Sequence, residues 1–103
     1  MTTDSPPPLD LSPEQRELVS LILRETLGDA EVYAFGSRAT GRARPFSDLD
    51  LLVVRPQALS LAERVALRNA FERSTLPFRV DIVDAAGLTG PTADRLARER
   101  LRL

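Results

Sequence analysis

Apolar residues first recur at helical spacing. Leu18, Val19, Leu21, Ile22 and Leu23, with Leu11 and Leu27 nearby, make one stripe. Ser12-Pro13-Glu14-Gln15 supplies an N-cap serine, proline at the first helical position, an acid in the first turn and glutamine at the capping-box position, and Gly28 is a natural stop. The charges of Arg16, Glu17, Arg24 and Glu25 are assigned to the water side. The period then falls to two. Glu31-Val32-Tyr33-Ala34-Phe35 suits a strand ending at Gly36, and Asp48-Leu49-Asp50-Leu51-Leu52-Val53-Val54 suits a second that ends at Arg55-Pro56. Phe78 to Asp84 suits a third, with Phe78, Val80 and Ile82 on one face and Arg79, Asp81 and Val83 on the other. Between the last two, Ser60-Leu61-Ala62-Glu63 is another capping box. It opens a helix to about Ser74 whose Leu61, Val65, Ala66, Leu67, Ala70 and Phe71 are expected to cover the sheet. Thr89-Gly90-Pro91 to Leu103 reads as a last, thinly apolar helix. Met1 to Leu11, with Ser5-Pro6-Pro7-Pro8 and no period, reads as a flexible arm, and residues 12–103 as one domain. The element order implies the α/β (α+β) class. A small mixed sheet of three or slightly more strands carries its helices on one face and leaves the other free for chemistry.

That free face has candidate chemistry where the first strand turns. Gly36 permits a sharp turn and close approach of a ligand, and Ser37 opens a turn or short helix whose hydroxyl and backbone amides suit phosphate oxygens. Asp48 and Asp50, two residues apart, share a strand face, and the first two strands must be antiparallel neighbours if Ser37 and Asp48 reach one ligand. Paired carboxylates are hard ligands suited to Mg2+ or Mn2+, and Asp81, an acid inside an apolar run, is the candidate third. A Gly-Ser turn alone is common, and Asp-x-Asp can open an ordinary solvated strand. The argument rests on their combination with Asp81. Arg38, Arg42 and Arg44 lie in the intervening loop, where they could contact phosphate or acceptor or simply face water; Arg38 is the nucleotide-binding candidate among them. Asp84 reads as a turn acid.

Gly-Ser, ten residues, Asp-x-Asp and a later strand aspartate together resemble the signature of the DNA polymerase β-like nucleotidyltransferase superfamily, and the short chain resembles its minimal (MNT) branch. The motifs span roughly Val32 to Asp84. On this resemblance Gly36 and Ser37 match the phosphate-holding pair, Asp48 and Asp50 the metal ligands and Asp81 the third carboxylate. Within the branch the chain is most similar to MntA-type antitoxins. That implies a metal-dependent protein adenylyltransferase, using Mg2+ (or Mn2+), that transfers AMP from ATP to a tyrosine of a HEPN-domain toxin. Two further readings stand beside it: a small-molecule nucleotidyltransferase subunit completed by dimerisation, and an antitoxin that acts by occlusion without turnover.

Composition narrows the field. A chain of 103 residues makes one small domain with no room for a second recognition domain, so a partner or another copy should supply the acceptor surface. A net charge of −1 without a basic run argues against a polyanion-gripping surface, and so against nucleic acid as a general ligand. The absence of cysteine and histidine excludes disulfides, thiolate metal sites and a histidine general base, leaving Asp81 to assist deprotonation of the acceptor. Lysine is absent too, which excludes a lysine nucleophile. No apolar stretch is long enough for a membrane span and no signal-peptide pattern opens the chain, so a cytoplasmic location is expected. Leu96, Leu101 and Leu103 are expected to form an exposed docking strip for the toxin.

Overall fold

The computed structural model describes residues 9–103. Both capping boxes form. Ser12 accepts from the Gln15 amide at 3.1 Å and opens α1 (Pro13–Leu27), while Ser60 accepts from the Glu63 amide at 3.0 Å and opens α3 (Leu61–Glu72). Between them run β1 (Glu31–Phe35), the four-residue α2 (Ser37–Thr40) and β2 (Leu49–Val54). After α3 come β3 (Val80–Asp84), a 3-10 turn at Ala85–Gly87, α4 (Gly90–Glu99) and β4 (Leu101–Arg102).

The strands form one mixed sheet in the order β3-β2-β1-β4. β1 and β2 are antiparallel, as expected, with Phe35 opposite Asp50, and β3 lies parallel to β2 with Asp50 beside Asp81. Alternation decides the two faces. Val32, Ala34, Leu49, Leu51 and Val53 are buried in one core cluster with Val19, Ile22 and Leu23 of α1 and Leu67 and Phe71 of α3.

Several expectations need correction. The last helix stops at Glu99, and Leu101 instead pairs with Ala34 as the fourth strand. Its leucines are no exposed strip: Leu96 is buried, and Leu101 and Leu103 pack against the core. A strand edge left open on β1 is worth more to these residues than another half-turn of helix, because it satisfies backbone groups and buries side chains together. The helices do not all share one face. Leu52 and Leu96 are buried outside the main cluster, and Arg100, which ends α4, stacks on Tyr33 at 4.0 Å, on the side of β1 that alternates away from the core. Thus α4 leans on the second face and encloses part of it. In α3, Leu61 and Val65 point outward, since at about 100° per residue they lie roughly 120° and 160° around the helix from the buried Leu67. Of the expected arm, Met1 to Pro8 lies outside the described residues. Leu9 is buried in the core, so its last residues are packed.

Candidate active site

The site forms where three strand ends meet. β1 finishes at Phe35, Gly36 turns the chain, and antiparallel pairing returns β2 past the same point with Asp50 opposite Phe35. The parallel β3 adds Asp81 beside Asp50, a register begun by the Leu49 amide donating to the Arg79 carbonyl at 2.8 Å. Asp48, the expected first residue of the strand, stands one residue ahead of β2. Gly36 has φ +75, and a Cβ there would lie 3.3 Å from Asp50 Cγ and inside contact distance of its Oδ2. Both constraints exclude a larger residue, so the phosphate-type turn and the carboxylate fit each other.

The acids sense one another. Burial, and then the neighbouring carboxylates of Asp81 and Asp48, push the Asp50 carboxyl above its ordinary value. The Asp81 side chain is about half exposed, with Arg79 4.0 Å away. No three acids among the described residues make a ready-made cation cage. The donor set still suits a divalent cation of the magnesium type, which takes one or two carboxylates and completes its shell with water and substrate phosphate oxygens. A cation there would relieve the repulsion that raises Asp50.

Ser37 is the first residue of α2, immediately after the turn. Arg38 behaves differently from the nucleotide contact expected of it. The side chain is buried at 4% exposure, and its guanidinium donates to the carbonyls of Asp10 at 2.8 Å, Ser47 at 3.0 Å and Pro45 at 3.0 Å. It also lies 4.0 Å above the Phe78 ring. With its donors committed to backbone, it is a loop clamp. The signal for this was its position next to the Gly36 turn, in a helix too short to bury anything else. Arg42 and Arg44 stay exposed. The loop closes in a turn where the Ser47 hydroxyl accepts from the Arg44 amide at 2.8 Å and the Ser47 amide donates to the Arg44 carbonyl at 3.0 Å. At its tip Phe46 is 75% exposed, a feature the sequence pattern did not single out.

Asp84 is the turn acid expected. It accepts from the Leu59 amide at 2.7 Å and the Ala86 amide at 3.0 Å, with Arg64 3.7 Å away, and these contacts hold its carboxyl below the ordinary value.

Comparison with known proteins agrees with this geometry. The profile of the nucleotidyltransferase domain matches residues 16–101. The probable protein adenylyltransferase MntA of Haemophilus influenzae is 42% identical over 78 residues, 76% of this chain and 68% of that protein. The protein adenylyltransferase MntA of Thermococcus cleftensis is 36% identical over 77 residues, 75% of this chain and 77% of that protein. A solved structure assigned as a minimal nucleotidyltransferase superposes with a TM-score of 0.68 at 37% identity, over 87% of this chain and 90% of that one. A toxin–antitoxin structure with AMP-PNP shares the fold, with a TM-score of 0.69 at 23% identity over 84% of this chain and 69% of that one. A domain match across most of the chain, with relatives at this identity, makes the chain a nucleotidyltransferase, a member of the minimal branch that holds the MntA-type protein adenylyltransferases.

Proposed function

We propose that this chain transfers AMP from ATP to a hydroxyl of a cognate HEPN-type toxin, a tyrosine hydroxyl in our reading, and so acts as a cytoplasmic antitoxin. The observation that carries the proposal is the register that sets Asp50 beside Asp81 on the face reached by the Gly36 turn. The relatives named MntA support the reaction, and the toxin–antitoxin structure that shares the fold supports the partner.

Asp48, Asp50 and Asp81 would hold Mg2+ or Mn2+, which supplies charge neutralisation at the α-phosphate and on departing pyrophosphate. The chain's own residues do the rest. Gly36 leaves room for the triphosphate, and the Ser37 hydroxyl and nearby backbone amides hold its oxygens. The acceptor oxygen forms a bond to the α-phosphorus while the bond to the bridging α–β oxygen breaks. The acceptor proton passes to Asp81, whose half-exposed carboxylate is open to an incoming group. Since the C-terminal leucines are used by the fold, the acceptor protein needs other contacts. The Phe46 ring at the tip of the loop beside Asp48 is our candidate.

Co-expression with the toxin tests the proposal. Mass spectrometry of the co-purified toxin should find it heavier by one or more AMP units, and the shift should vanish with Asp48→Asn. A toxin that stays unmodified, yet is silenced equally by wild-type and Asp48→Asn chains, would replace transfer with occlusion.

A further inference from the structure

Arg38 carries an unusual combination of charge, burial and partners. A buried guanidinium is costly unless its donors are satisfied, and such groups commonly face an acid. Here the hydrogen-bond partners are backbone carbonyls: Asp10, Ser47 and Pro45 at 2.8–3.0 Å, with a longer contact to Arg44 at 3.5 Å. The Asp10 amide returns a bond to the Arg38 carbonyl at 2.9 Å, and the Phe78 ring supports the guanidinium plane at 4.0 Å.

Those partners border every part of the site. Arg38 follows Ser37, Ser47 precedes Asp48, and Phe78 leads into the strand that carries Asp81. We propose that Arg38 is a positioning residue which, through this one guanidinium, sets the spacing between the phosphate turn and the carboxylates of β2 and β3 without touching the ligand. The segment at Leu9 and Asp10, ahead of α1, becomes part of the same brace, because Leu9 is anchored in the core and Asp10 is bonded to Arg38 in both directions. The planar fork is essential. Lysine would keep the charge, but its three donors leave from one atom and cannot span carbonyls spread around the guanidinium edge.

The proposal rests on the transfer reading, and the test separates the two. Wild type, Arg38→Lys and Phe78→Leu are compared well below their melting midpoints, by amide hydrogen exchange across residues 39–48 and by transfer from α-labelled ATP to the toxin. For Arg38→Lys the brace predicts faster exchange confined to that loop and a transfer rate roughly 10- to 100-fold lower, the scale expected when reacting groups are displaced by about an ångström. Most of the loss should fall in kcat. Phe78→Leu, which removes the support and keeps every hydrogen bond, should show the same pattern at smaller size and carries the test if Arg38→Lys does not fold. Unchanged exchange in the loop with lost transfer would make Arg38 a ligand contact and overturn the proposal, as would wild-type transfer by a folded Arg38→Lys chain. An inactive wild type overturns the transfer reading instead and leaves the exchange result to judge the brace.

Discussion

The two ends of the β2–β3 pair carry the same chemistry in opposite states. At one end Asp50 and Asp81 sit side by side in register with Asp48 nearby, and burial and mutual repulsion raise the Asp50 carboxyl. At the other, Asp84 lies beside Val53, takes two backbone amides, faces Arg64 and is held low. A carboxylate that finds its donors within the chain is part of the scaffold. One crowded by other carboxylates stores an unfavourable charge that a cation can relieve, so the direction of the shift separates the candidate ligand from the cap, although both are aspartates on neighbouring strands of one sheet.

The sharpest way to break the comparison is to neutralise its crowded end. Asp48→Asn or Asp50→Asn should lower AMP transfer at least a hundredfold, since losing a hard ligand removes several kcal/mol of transition-state stabilisation. The ligand-free melting temperature should hold or rise for Asp50→Asn. A large drop in transfer with an equally large drop in melting temperature would make Asp50 a structural acid after all.

Gly36→Val comes next. It forces a side chain into a positive-φ position and against the Asp50 carboxylate, so nucleotide binding and folding should both suffer. Ser37→Ala is milder. Titration calorimetry with a non-hydrolysable ATP analogue should show a loss of about 1.5–3 kcal/mol, one hydrogen bond to a charged group, with the fold intact. Unchanged affinity in a folded Gly36→Val chain would remove the close-approach argument.

The local rules account for what could be read in advance. Both capping boxes and the turn at Gly36 follow from spacings of two to four residues, and the antiparallel pairing of β1 with β2 follows from requiring one ligand to meet both strand ends. What escaped was set by distant partners. β4 is two residues long and has no period to detect; it exists because β1 offers a free edge. Leu61 and Val65 formed a second apolar stripe on α3, and hydrophobicity alone did not tell which of the two met the sheet. Arg38 looked like a phosphate contact because its carbonyl partners lie between 6 and 28 residues away in sequence.

At the quiet end of the pair, Asp84→Asn should cost about 1–3 kcal/mol of stability, because an amide offers one acceptor where the carboxylate offers two, and its NH2 then faces a backbone donor. Transfer well below the new midpoint should survive. Thermal melts with and without the substitution, set beside transfer assays in the cold, check both halves.

The smallest effect is also the most direct reading of the contrast, the pH dependence of stability in metal-free protein. A carboxyl held below its unfolded value stabilises the fold fully above the ordinary carboxylate range, and that gain is lost as the pH falls toward the folded value. Asp84 belongs to this case, so the deficit of Asp84→Asn against wild type should be present at neutral pH and shrink on acidification. A carboxyl raised in the fold does the reverse. Its protonated form is preferred by the folded chain, so stability is lost as the pH rises from the ordinary range through the folded value, and the ionised group is a burden at neutrality. Asp50→Asn should therefore melt at or above wild type at neutral pH, with the advantage fading in acid. Melting curves of the two variants across the weakly acidic range should converge on wild type from opposite sides. Adding Mg2+ at neutral pH should raise the midpoint of wild type and leave that of Asp50→Asn nearly unmoved, because the cation then occupies the charge that the variant has removed. Two deficits of the same sign would mean that Asp50, like Asp84, is satisfied within the chain, and the distinction between the ends of the strand pair would fail.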